Sequence, residues 1–205
     1  MLSLNQKASL ALIQKVHNSG FIVLDTETTG LTDMDEIIEV SLVAFNGRVL
    51  LDTLVRPVNI IPPEATAIHG ITSEMVRDAP TWEEVRGQIG WILVTHPQLH
   101  LVIYNADFDT RLLVQTEVTH GGKWFNPSVF DAVCLMELYA QYYGEQCPCD
   151  PSDFKWQSLT NACSQMDIDT TQFTAHRALG DCQMTIALMD ALNDSGKTVF
   201  SRSGA

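Results

Sequence analysis

Apolar residues follow a helical period at the start of the chain and then change period abruptly. Within residues 3–19, Leu4, Ala8, Ala11, Leu12 and Val16 recur at spacings of three and four, and Asn18-Ser19-Gly20 supplies a stop. This predicts an amphipathic first helix. Four consecutive apolar residues, Phe21-Ile22-Val23-Leu24, come next. A short run of this kind suits a strand buried on both faces. It ends in Asp25-Thr26-Glu27-Thr28-Thr29-Gly30, two acids followed by turn material.

Residues 37–45 and 48–55 are two further strand-like runs joined by Asn46-Gly47, the preferred pair for a tight primed turn. With the opening strand they predict an antiparallel meander. Prolines at 57, 62 and 63 make residues 56–63 irregular, and residues 68–72 read as a turn delivering Thr72 or Ser73 as a helix cap. Pro80-Thr81 starts a helix to about Val94, with Trp82, Val85 and Ile89 on its apolar side and Trp91 also assigned to the core.

A second buried run, residues 99–104, ends in Asn105-Ala106-Asp107-Phe108-Asp109, followed by a helix over residues 108–118 that Gly121-Gly122 breaks. Residues 129–143 read as a strand end plus a helix, residues 145–153 as a loop, and residues 156–166 and 178–192 as helices. A meander followed by alternating strand and helix predicts an α/β fold, a mixed sheet with helices on its faces. One domain is expected over residues 1–192, beginning with the helix at 1–19, and a polar tail over residues 193–205.

Twelve Lys plus Arg against 25 Asp plus Glu give a formal charge of −13, which excludes a protein that coats long nucleic acid through a broad basic surface. A grip on a few nucleotides through metal ions is compatible with that charge. No apolar stretch approaches the length of a bilayer span, so no membrane partner is expected and the cytoplasm is the expected location. Five cysteines, of which only Cys147 and Cys149 are close together, fit reduced thiols better than a disulfide framework.

Side chains two apart on a strand share a side, so Asp25 and Glu27 project together. Two such carboxylates repel and are costly to desolvate unless a cation lies between them, so the pair fits either a hard divalent metal or a strand that simply runs out into a polar turn at Thr28-Thr29-Gly30. Asp109 again places an acid after a buried strand. In His176-Arg177-Ala178-Leu179-Gly180-Asp181, five residues of continuous helix would separate the His176 and Asp181 side chains by about 140°. They converge if His176 lies on the loop before the helix and Asp181 on its first turn.

With these three motifs in this order, the chain resembles the DEDDh exonucleases, the DnaQ-like group that includes proofreading subunits of bacterial replicative polymerases and RNase T. Residues 20–192 carry the resemblance, and Ile68-His69-Gly70-Ile71-Thr72 is similar to a segment common in the family. It implies a ribonuclease H-like mixed sheet, an antiparallel three-strand meander plus parallel strands, and 3′-to-5′ removal of nucleotides with two Mg2+ or Mn2+ ions. Asp25, Glu27, Asp109 and Asp181 are the implied metal ligands, with Asp109 rather than Asp107 following the aromatic residue, and His176 is the implied general base.

Thr28, Thr29, Gly30 and Leu31 are expected to line the terminal nucleotide, with Glu27 and the backbone near Thr28 reading its 3′-hydroxyl. His69 is expected at the rim, Phe108 as core or stacking platform, and Arg177 and Lys155 as phosphate contacts. The implied partners are nucleic-acid 3′ ends, single-stranded DNA foremost, and a polymerase or repair protein, with the chain itself a monomer or homodimer. RNA trimming by the same core and a catalytically silent nucleic-acid-binding module are the competing readings.

Overall fold

The computed structural model describes residues 2–122, 131–148 and 150–201. Its frame is a five-stranded sheet of β1 (Phe21–Thr28), β2 (Ile37–Ala44), β3 (Val49–Leu54), β4 (His100–Ile103) and β5 (Val133–Cys134) in the order β3-β2-β1-β4-β5. The β1–β2 and β2–β3 pairs are antiparallel, and the β1–β4 and β4–β5 pairs are parallel. This is the mixed sheet expected from the meander followed by strand and helix in alternation.

Alternation along β1 divides the core. Phe21 and Val23 face a layer containing Leu10, Ile13, Tyr139, Cys182 and Leu188, whereas Ile22 and Leu24 face one containing Val40, Trp82, Ile89 and Leu112. The first layer comes from α1 (Leu4–Ser19), α6 (Leu135–Tyr143), α7 (Leu159–Gln165) and α8 (Ala178–Ser201), and the second from α4 (Trp82–Thr95) and α5 (Ala106–Thr119). Two shorter helices, α2 (Pro63–His69) and α3 (Ser73–Val76), cover the Ile38 side of β2. Thr72 caps α3, and Thr81 caps α4 in a reciprocal pair with Glu84.

Four expectations are corrected. Helix α1 exists, but it buries Ser9, Leu10, Ile13 and Val16 and leaves Leu4 85% exposed. Ser9 can occupy an interior position because its hydroxyl donates to the Leu138 carbonyl at 2.5 Å. Trp91 is 71% exposed, on the outer side of α4, while Trp82 is buried with its indole N–H donating to Glu117 at 2.8 Å. Residues 145–153 contain a small hairpin, β6 (Gln146–Cys147) with β7 (Asp150–Phe154), instead of a plain loop; Cys149 lies outside the described residues.

The expected polar tail begins too early. Helix α8 continues without interruption to Ser201, because Leu192, Asn193 and Gly196 keep a buried helical stripe. A Cβ on Gly196 would meet the Gln14 side chain at 2.8 Å, so α1 packs closely against this last part of α8. Residues 202–205, and Val129 and Phe130 of the expected strand end, lie outside the described residues.

Candidate active site

Strand β1 carries Asp25 and Glu27 on the side occupied by Phe21 and Val23, which is the side on which α8 packs. Asp181 lies in the first turn of α8. One oxygen each from Asp25, Glu27 and Asp181 can be chosen so that all three lie within 4.8 Å of one another. The pairing of β1 with β2 changes register between Glu27 and Thr28, the kind of irregularity that re-aims side chains where a strand ends.

Asp109 approaches from α5 and is buried; its Oδ1 accepts a hydrogen bond of 2.8 Å from the Thr26 hydroxyl. Thr26 points to the opposite side of β1 from Asp25 and Glu27, so Asp109 joins the others from across the strand. Asp107, two residues earlier, faces solvent. The aromatic-acid order in the second motif therefore selects the inward carboxylate.

Confinement makes ionisation unfavourable. Burial first, then the charges of Asp109, Asp181, Glu27 and Glu39, hold the Asp25 carboxyl well above the usual carboxylate range. Burial and then Asp181, Glu39 and Asp109 push Glu27 up to about 8, with Arg177 opposing. Asp109 is raised to about 7, chiefly by burial, against the lowering effect of the Thr26 hydroxyl. Asp181 is also raised by burial, with His176 opposing. Clustered, largely desolvated, hard oxygen donors that repel one another, with Asp109 buried and the others partly so, fit a divalent cation, which would relieve the repulsion directly.

His176 precedes α8 on a loop, as required for convergence with Asp181. Its backbone is left-handed, with φ of 59°, and its N–H donates to Asp181 Oδ1 at 3.3 Å. Gly180 permits this arrangement: a Cβ there would stand 2.0 Å from the Thr174 carbonyl oxygen, so the loop folds directly over the first turn of α8.

The residues expected to line a nucleotide are placed unevenly. The Thr28 hydroxyl donates to the Gly30 carbonyl at 2.7 Å, and the Thr29 hydroxyl donates to Asp35 Oδ1 at 2.8 Å. Both hydroxyls thus donate to the segment that follows the end of β1, and both threonines are buried. Gly30 has a local structural reason as well, since a Cβ would meet the Asp35 carboxylate at 2.7 Å. Leu31 is 77% exposed. Phe108 is half-buried against the second core layer, with the Arg111 guanidinium 5.3 Å from its ring centre.

His69 is 6% exposed, deeper than a rim position. Its Nδ1 accepts from the Ile71 N–H at 2.9 Å, and burial lowers its pKa. The two proposed phosphate contacts are engaged within the protein: Lys155 donates to Glu145 at 2.7 Å, and Arg177 pairs with Glu39. Their local scarcity of positive charge had made them stand out; in the fold, each offsets a carboxylate.

Sequence reasoning missed Glu39 and Thr26. Glu39 is the only acid in β2, a strand buried at all eight positions, and it lies opposite Glu27 in the β1–β2 register. One charge inside an otherwise apolar or small-residue strand was the available signal. Thr26 stood between the two acids and was passed over because its side chain points to the other face.

The family model described as exonuclease, RNase T, matches residues 22–189. The chain is 44% identical over 178 residues to "Uncharacterized exonuclease CP81" of Escherichia phage 186, covering 85% of this chain and 89% of that protein. It is 32% identical to "Exodeoxyribonuclease 10" of Escherichia coli strain K12, covering 86% of this chain and 70% of that protein. Among solved structures, "Exonuclease X in complex with 5' overhanging duplex DNA" is similar with a TM-score of 0.58 and 30% identity, covering 86% of this chain and 93% of that one.

Proposed function

This chain belongs to the RNase T exonuclease family, and from that premise we propose that it hydrolyses DNA stepwise from a 3′ end and releases nucleoside 5′-monophosphates. The observation that carries the reading is the gathering of Asp25, Glu27 and Asp181 oxygens within 4.8 Å of one another, with buried Asp109 beside them. A family nuclease with this acidic cluster depends on divalent metal. In our reading the four carboxylates hold two ions, Mg2+ or Mn2+. When bound, such ions supply Lewis-acid stabilisation of the phosphate and of the leaving oxygen.

The side chains supply the rest of the chemistry. His176 takes a proton from the water that attacks phosphorus; the bond from phosphorus to the 3′ oxygen breaks, and that oxygen takes a proton from solvent. Exposure of His176 on its loop supports access to water, and the hydrogen bond from its backbone to Asp181 supports its placement beside the acids. Thr28, Thr29 and Gly30 contribute mainly a closely held backbone to the terminal nucleotide, and Leu31 an exposed apolar surface against the base.

DNA is favoured over RNA because relatives bear the printed names exodeoxyribonuclease and exonuclease with duplex DNA. The charge of −13 favours short or single-stranded ends over long duplex. DNA and RNA oligonucleotides of one sequence, labelled at either end, test the assignment. Stepwise shortening of 5′-labelled DNA, abolished by EDTA and by Asp25→Ala, is expected, with RNA slower. Shortening from the 5′ end, or activity that survives chelation, contradicts the reading; faster RNA cleavage reverses the substrate assignment.

A further inference from the structure

The carboxylate of Glu39 is buried in β2, and its oxygens accept from three nitrogens at the junction of the His176 loop and α8. Arg177 Nε donates to both oxygens, at 3.1 and 3.0 Å, and Arg177 Nη2 donates to Oε1. The backbone N–H of Ala178, the first residue of α8, donates to Oε2 at 3.0 Å. Glu39 therefore caps α8 from another element and holds the residue next to His176 through a two-pronged ion pair.

These contacts complete a three-point clamp. Thr174 rests against Gly180, the His176 N–H is tied to Asp181, and Arg177 and Ala178 are tied to Glu39. Between the last two ties lies the left-handed backbone of His176, a conformation that a non-glycine residue keeps only when its surroundings impose it. Glu39 is itself anchored opposite Glu27 in the sheet register. The position of the His176 segment is thereby referred to the same strands that carry Asp25 and Glu27.

We propose that Glu39 is a positioning residue, which acts through Arg177 and Ala178 to fix the segment bearing His176 against Asp181. It is assigned no place among the metal-holding carboxylates, since both of its oxygens already accept from N–H donors of Arg177 and Ala178. Its effect on turnover rests on the proposed role of His176. Its hold on the loop does not.

Two measurements on Glu39→Gln separate these levels. Hydrogen exchange of the full-length protein should accelerate about tenfold or more over residues 172–178, with β1 and β2 still protected. Under saturating metal, kcat should fall about 10- to 100-fold, as for other residues that orient catalytic groups, with KM little changed. In a His176→Ala background the same substitution should add no further loss of kcat.

Unchanged exchange over residues 172–178 overturns the proposal, as does acceleration spread equally through β1 and β2, which marks a general loss of stability. Local acceleration with normal kcat keeps the clamp and instead removes His176 from catalysis. Further loss in the His176→Ala background removes the route through His176. Arg177→Gln breaks the same ion pair from its partly exposed side and carries the same readouts if Glu39→Gln does not fold.

Discussion

Glu27→Gln should stabilise the metal-free protein while abolishing its activity. The Glu27 carboxyl is moved from 4.5 to about 8 by burial and by its acidic neighbours, so the folded state holds that proton more tightly than the unfolded state does. The contribution is present in full below the unfolded value and is lost as pH rises through about 8. The whole difference corresponds to about 5 kcal/mol. Because the repulsion is shared among four acids and Glu27 keeps some solvent contact, about 2–3 kcal/mol should appear in the measured stability.

For a domain of this size that is a rise in Tm of roughly 4–12 °C. Thermal unfolding followed by circular dichroism, in EDTA at pH 4 and at pH 8.5, measures it. The two proteins should melt together at pH 4, and the variant should melt higher at pH 8.5; added Mg2+ should raise only the wild type substantially. A variant that melts at or below the wild type at pH 8.5, or a gap independent of pH, refutes the account of mutual repulsion.

Three further substitutions test separate contacts. Thr26→Val removes the 2.8 Å hydrogen bond to Asp109, of the charge-assisted kind worth about 1.5–3 kcal/mol, and should raise the metal concentration for half-maximal activity about tenfold or more while kcat at saturating metal is largely retained. Gly180→Ala forces a Cβ against the Thr174 carbonyl and should lower kcat more than tenfold, as displacement of a general base does, with little change in far-ultraviolet circular dichroism. Trp82→Phe deprives buried Glu117 of one donor on the opposite side of the sheet from Asp181, and should cost about 1–3 kcal/mol in urea unfolding with kcat per folded molecule unchanged.

Legibility in the sequence followed the reach of each interaction. Asp25 and Glu27 were readable because a period of two is local, and the antiparallel meander was readable from three short strand-like runs and one Asn-Gly turn. Convergence of His176 with Asp181 needed only a helix start between them. Glu39 was hidden because its partner, Arg177, is 138 residues away and neither motif contains both.

The α1 face was misread for a related reason. Leu4 and Leu12 satisfied the helical period as well as Leu10 and Ile13 did, and the choice was made by the packing of α6 and α8. Ser9, which no apolar period selects, is accommodated inside because its hydroxyl donates to a carbonyl of α6. The end of α8 was obscured by composition: Asn193, Asp194, Ser195 and Gly196 resemble a tail, yet Leu192, Asn193 and Gly196 are buried and Gly196 lies against Gln14 of α1.

Calorimetric titration of the protein with Mn2+ in the presence of a nucleoside 5′-monophosphate tests the central claim most directly. Two ions per chain should bind, with release of protons at pH 7 because Glu27 carries its proton there before metal enters; Asp25→Asn should abolish at least one of the two sites. Absence of saturable binding, or binding to Asp25→Asn with the same stoichiometry and affinity as to the wild type, would contradict a two-ion centre built on these carboxylates.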